Sequence, residues 1–280
     1  MRPLVVAAMA GGVALLALGC KESASRRVED PWPLVKWLIE RNRAPIEQDP
    51  YASTLLTREK WQRLHLEFFK GGGVAVYWDR GGIGTLGDPL VFREDGTYLC
   101  SPIRYAPIDV TGDGARDLVT TEWITGKIGF RVYDLTKTPI RRVTLGSMHK
   151  YSFSKTLHPG LWDADGDGVF EIICLLPLDG LDPDCDIDTT AVRAAGVDGL
   201  ITVWSLLGGV PRVVLAIGNL PFQGPDEFLH SGLYLGAPGQ DPTEAVSWDA
   251  GAGRFRLPKI ADVRVFVNRS IHPRADGNHS

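Results

Sequence analysis

The chain carries no cluster of Lys and Arg. Its 30 basic residues are outnumbered by 34 acidic ones, for a net charge of −4. Phosphate recognition needs clustered positive charge, so nucleic acid is excluded as a partner. Cysteine is scarce, at four in 280 residues. No Cys-x-x-Cys pair is present, which removes the usual zinc and redox motifs. There is no Gly-x-Ser-x-Gly elbow and no Gly-x-x-x-x-Gly-Lys-(Ser/Thr) loop, so neither α/β-hydrolase nor P-loop chemistry is indicated. The six histidines (His65, His149, His158, His230, His272, His279) show no metal-ligand spacing to one another. After the N-terminal segment, no apolar run is long enough to cross a bilayer as a helix.

What is present is a turn-rich globular composition. Apolar residues make up 44% and charged residues 23%, with 32 Gly and 19 Pro. Short strands joined by many turns fit that balance better than long helices do. The N-terminus reads as a targeting segment. Arg2 precedes an uncharged run from Leu4 to Gly19, too short for a transmembrane helix. The run ends Leu16-Ala17-Leu18-Gly19-Cys20. This resembles the lipobox of bacterial lipoproteins, with Ala17 where that family prefers Leu. The resemblance implies lipidation at Cys20, export, and anchoring to the bacterial cell envelope on a leaflet the sequence does not name. An ordinary secretory signal is the alternative. Of the remaining cysteines, Cys100, Cys174 and Cys185, an odd number leaves one unpaired. Cys174 reads as core, and a Cys174–Cys185 bridge is not the expected reading.

The most informative stretch is Asp163-Ala164-Asp165-Gly166-Asp167-Gly168-Val169-Phe170-Glu171, followed at once by Ile172-Ile173-Cys174-Leu175-Leu176. The design recurs at Asp109-Val110-Thr111-Gly112-Asp113-Gly114-Ala115-Arg116-Asp117, followed by Leu118-Val119. Each copy puts oxygen donors at positions 1, 3, 5 and 9 of a short loop. Hard cations such as Ca²⁺ take six to eight oxygens in irregular geometry, which suits this spacing. An EF-hand is excluded, because its loop ends in a bidentate Glu at position 12 between helices. Position 12 here is Thr120 or Cys174, and the flanking residues are strand formers.

These nine-residue loops, each entering a strand, resemble the FG-GAP (integrin-like, or VCBS) repeat of β-propellers. The resemblance implies calcium held by side chains at 1, 3, 5 and 9 and by the carbonyl at 7. In this chain those are Asp109, Thr111, Asp113, the Ala115 carbonyl and Asp117, then Asp163, Asp165, Asp167, the Val169 carbonyl and Glu171. Thr111 is a poorer ligand than Asp, so the first site is expected to be the weaker. Glu171 is one methylene longer than Asp.

A recurring phrase of a turn, alternating apolar residues and an aromatic end appears at Val74–Trp78, Ile128–Tyr133, Leu200–Trp204 and Ala245–Trp248. Recurrence at this scale points to blades or arrays. Hairpins are expected over 60–79 and 90–99, and strands at 118–123, 128–134, 141–145, 172–176, 200–204 and 212–217. The expected fold class is all-β, a small or incomplete β-propeller of about four blades with a short N-terminal helical and tether segment. The organisation is a leader over 1–19, a tether and short helix (33–41) over 20–56, the propeller over 57–267 and a polar tail over 268–280. Residues 43–56 read as irregular.

An acidic run, Asp182, Asp184, Asp186 and Asp188, reads as a solvated loop, with an extra cation site or partner contact as alternatives. The tryptophans Trp78, Trp123, Trp162, Trp204 and Trp248 read as blade core, with sugar stacking the alternative. The resulting expectation is a lipid-anchored calcium-binding module that recognises a protein or glycan. A polysaccharide-acting lyase or hydrolase and a purely structural envelope protein are the alternatives. No catalytic constellation is visible.

Overall fold

The computed structural model describes residues 5–6, 15–16, 32–49, 52–53, 64–69, 73–78, 89–124, 127–149, 160–181, 185–218, 222–223, 232–236, 243–260 and 263–272. The fold is all-β with a few short helices, built of antiparallel sheets, and no sheet closes into a barrel among the described residues. Two compact units divide at 101/102, so the span 57–267 runs across both. Within residues 1–19 only two-residue strands are described, β1 (Val5–Val6) paired with β2 (Leu15–Leu16). Cys20 lies outside the described residues. No described helix is long and apolar enough to cross a membrane.

The first unit pairs two helices with a meander. Helix α1 (Trp32–Arg41) opens with Pro33, whose missing N–H costs nothing at a helix start. It buries Val35 and Leu38. Helix α2 (Arg43–Gln48) occupies residues expected to be irregular because of Pro45. That proline falls in the first turn, where no intrahelical N–H bond is lost. The strands β3 (Leu64–Phe69), β4 (Gly73–Trp78), β5 (Leu90–Arg93) and β6 (Tyr98–Cys100) pair in sequence order. Both expected hairpins are therefore formed. Val35, Leu38 and Ile46 cover Leu66, Val74, Val76, Leu90 and Phe92. Buried Asn42 ties helix to hairpin: its Nδ2 donates to the Leu38 and Gly96 carbonyls at 2.7 Å each, and its Oδ1 accepts from Tyr98 N.

The second unit opens with another meander of β7 (Pro102–Ile108), β8 (Asp117–Ile124), β9 (Lys127–Asp134) and β10 (Arg141–His149). A third follows, of β11 (Gly160–Trp162), β12 (Glu171–Pro177), β13 (Gly199–Ser205) and β14 (Arg212–Gly218). Strand β20 (Arg264–Asn268) adds to its β14 edge. Smaller pieces complete the unit: β15 (Phe222–Gln223), β16 (Tyr234–Leu235) and β17 (Glu244–Ala245) form one sheet, and β18 (Ser247–Asp249) with β19 (Arg254–Arg256) forms a hairpin.

The middle sheet of this unit is buried on both faces. Along β12, Ile172, Cys174 and Leu176 face a core shared with Val119, Phe130 and Leu145 of the β7–β10 sheet. Ile173 faces the other way, onto Leu233, Leu235, Val246, Phe255 and Ile271. That is why Ile172–Leu176 reads as an uninterrupted apolar run rather than an alternating one. Cys174 is a thiol deep in this core, so the Cys174–Cys185 bridge does not form, and burial pushes its pKa up.

Candidate metal loops

Both acidic loops occupy the same place in their sheets, joining the first strand of a meander to the second. Loop 1 (109–117) connects β7 to β8, and loop 2 (163–171) connects β11 to β12. Their internal hydrogen bonds match position for position. At position 1, Asp109 accepts from Gly112 N and Gly114 N at 2.7 and 2.8 Å, and Asp163 accepts from Gly166 N and Gly168 N at 2.9 and 3.2 Å. At position 5, Asp113 accepts from Ala115 N, and Asp167 accepts from Val169 N. At position 9, the carboxylates of Asp117 and Glu171 reach back to position 2, accepting from Val110 N and Ala164 N.

The glycines make the fold of the loop possible. Gly114 and Gly168 have φ of +80° and +87°, with open space where a Cβ would sit. The requirement is therefore backbone conformation, not room: L-residues enter this region at a cost of about 1–2 kcal/mol. The loops are also neighbours. Phe170 N donates to the Asp109 carbonyl at 3.1 Å, and Gly208 N donates to the Thr111 carbonyl at 2.9 Å.

Electrostatics separate the two ends of each loop. Positions 1 and 5 lie toward solvent, whereas Asp117 and Glu171 are 0% and 1% exposed. Burial raises Asp117 to about 6, opposed by the Val110 N–H and reinforced by the Asp134 carboxylate. Burial raises Glu171 to about 8, with Asp165 and Asp167 adding like charge. Asp117 Oδ1 and Thr111 Oγ1 are both buried without a hydrogen-bond partner. A buried carboxylate oxygen normally finds a donor or a cation; the Thr111 hydroxyl favours the ionised form of Asp117 but makes no well-formed hydrogen bond to it.

Three metal-ligating atoms approach within 4.8 Å of one another in one group among the described residues: Asp165, Asp167 and His272. The acids of loop 1, and Asp163 and Glu171 of loop 2, stand wider. Ca–O bonds of roughly 2.3–2.6 Å place opposite ligands about 5 Å apart. The tighter group therefore combines two of the loop 2 acids with one side chain from outside the loop. His272 was invisible to spacing arguments, since it arrives from the opposite end of the unit. The expected boundary of the tail at 267 lies five residues short of it.

No protein-family model, curated protein or solved structure matches this chain.

The acidic run takes structural roles where it is described. Asp188 caps helix α3 (Thr189–Ala194), accepting from Thr190 N and Ala191 N at 3.0 Å each, and Asp186 pairs with Arg269. Asp182 and Asp184 lie outside the described residues. Trp162 and Trp204 are core, at 7% and 2% exposure, and Trp123 and Trp248 are half-buried. The side chain of Trp78 lies outside the described residues, as do those of the five histidines other than His272.

Proposed function

We propose that this chain is an exported, lipid-anchored β-propeller of the FG-GAP/VCBS type, stabilised by calcium in loops 1 and 2 and serving as a protein- or glycan-binding module at the cell envelope. Two four-stranded antiparallel meanders and a third that β20 widens to five strands support the propeller reading, and the small sheets of β15–β19 would supply a reduced fourth. The observation that carries the calcium reading is the orphaned pair Asp117 Oδ1 and Thr111 Oγ1, buried inside a loop whose remaining donors are already aimed at its other carboxylates. In loop 2 the corresponding carboxylate, Glu171, is buried with like charges beside it. A divalent cation would offset both. The donors that would hold it are Asp109, Thr111, Asp113, the Ala115 carbonyl and Asp117, and Asp163, Asp165, Asp167, the Val169 carbonyl and Glu171.

The metal is structural in this reading. At ~1 mM ion and a dissociation constant of ~10⁻⁴ M, binding adds about 1.4 kcal/mol per site. Chelation should therefore lower the melting temperature by about 3–5 °C per site. Asp167→Ala should remove the share belonging to loop 2. A melting curve that chelator leaves unmoved overturns the reading. The binding role is checked by exposing the purified protein to a polysaccharide panel. Saturable binding without products is expected, and turnover would assign it to the enzymes instead.

A further inference from the structure

His272 is held in place from a distance. Beyond β20, Arg269 N donates to the Val214 carbonyl, and Arg212 Nη2 donates to the carbonyls of Ser270 and Ile271 at 2.9 and 2.6 Å. Ile271 is 2% exposed, packed in the core that also contains Trp162 and Ile173. The chain that leads into His272 is thus fixed over residues 269–271. It places His272 Nε2 2.6 Å from Asp165 Oδ2 and 3.9 Å from Asp167 Oδ2. The other oxygen of each carboxylate is pinned from behind, Asp165 Oδ1 by Asp167 N and Asp167 Oδ1 by Val169 N. Two oriented carboxylate oxygens and one imidazole nitrogen therefore lie within 4.8 Å of one another, with His272 and Asp165 hydrogen-bonded directly. The imidazole is half exposed, so an ion can enter and keep water ligands.

We propose that His272, with Asp165 and Asp167, makes the outer side of loop 2 a mixed nitrogen–oxygen site for a borderline divalent transition ion of the Zn²⁺ class, while loop 1 remains an all-oxygen calcium site. This deepens the reading of loop 2 as a cation loop and rests on it. Imidazole is a good ligand for zinc-class ions, whereas calcium takes oxygen. Zinc bonds of roughly 2.0–2.2 Å hold neighbouring ligands about 3–4 Å apart. In the trio, which spans no more than 4.8 Å, the His272–Asp167 separation of 3.9 Å already fits, and the 2.6 Å His272–Asp165 hydrogen bond would open by roughly half an ångström or more to admit the ion. Loop 1 has no counterpart of His272 among the described residues, since its position-5 acid, Asp113, meets the hydroxyl of Thr136 at 3.2 Å instead. A hydroxyl on a short stem adds an oxygen donor, which keeps that loop suited to a hard ion.

The test is calorimetric titration of the full chain with ZnCl₂ in ~1 mM calcium, comparing wild type with His272→Ala, and calcium titration of both after chelation. Wild type should bind Zn²⁺ at loop 2 at least tenfold more tightly than Ca²⁺. His272→Ala should lose that Zn²⁺ step and keep its calcium affinity within about threefold. The wild-type minus variant difference isolates this site from the other histidines. Co²⁺ substitution gives a second readout, a visible d–d spectrum that should change on His272→Ala. If zinc binding and the Co²⁺ spectrum are the same in both proteins, the proposal is overturned even when calcium binds both loops. If zinc binding depends on His272 but calcium binds neither loop, the calcium reading fails and this site stands.

Discussion

Glu122→Ala should cost about 3–5 kcal/mol of stability. Glu122 lies on β8 and Arg131 on β9, in register positions that set Thr120 opposite Arg131 and Leu118 opposite Tyr133. Glu122 Oε1 accepts from Thr120 Oγ1 at 2.6 Å and from Tyr133 Oη at 2.8 Å, and Oε2 accepts from Arg131 Nη1 at 2.7 Å. The side chains of Glu122 and Arg131 are only 6% and 16% exposed. Burial opposes the Arg131 charge, but the Glu122 carboxylate outweighs it and holds the guanidinium above its ordinary pKa. Arg131 Nε already lacks a partner. Removing the carboxylate leaves that cation buried with no counter-charge and takes the acceptor from two hydroxyls. Glu122→Gln keeps an acceptor and should cost less. Glu122→Leu combined with Arg131→Met should recover most of the loss, because replacing both ions removes the desolvation penalty. Urea unfolding of the four proteins measures this, and a Glu122→Ala loss under about 1 kcal/mol would sink it.

That network also marks where reading the chain stops. Local periodicity was enough for the hairpin at Glu94-Asp95-Gly96, since Gly96 at φ +81° supplies the left-handed turn residue. It was enough for the apolar strand at 172–176 and for the repeated loops, whose matching hydrogen bonds follow from matching glycines and acids. Nothing in the local pattern of strands 118–123 and 128–134 marks Glu122 and Arg131 as a buried pair. Only cross-strand register, and a second layer over that face, turns them inward. Strand β7, which no sequence expectation covers, contains Pro102 and Pro107. It is the edge strand of its sheet, where missing N–H groups are tolerated. The place of β20 beside β14, and so of His272 on loop 2, depends on a pairing between strands some 50 residues apart, such as Leu215 with Asn268. No local pattern encodes such a pairing. The acidic run was legible as polar, but Asp188 as a helix cap required seeing that Thr189–Ala194 forms a helix at all.

Stability of the metal-free protein should fall as pH rises from about 4.5 to about 8. The cause is Glu171, whose carboxyl titrates near 8 in the fold against 4.5 as its ordinary value, chiefly because it is buried and secondly because Asp165 and Asp167 stand near it. Between those values the folded state keeps a proton that the unfolded state has released. Stability then decreases with each unit of pH, because the folded state binds more protons. Below 4.5 both states are protonated and the penalty is absent; above 8 both are ionised and it is complete, at ~5 kcal/mol. Asp117 adds a smaller loss in the window from 3.8 to about 6 by the same route. Calcium should reverse the trend, since it binds the ionised carboxylates and releases their protons on binding. Glu171→Gln separates the contributions. In chelator at pH 8 it should be more stable than wild type, with a flatter profile between pH 6 and 8, and it should lose the calcium response of loop 2. Melting curves at several pH values, with chelator and with calcium, read all three. A wild-type profile in chelator that is flat or rising from pH 5 to 8 would mean that Glu171 ionises freely in the fold, and that no buried charge waits there for a cation.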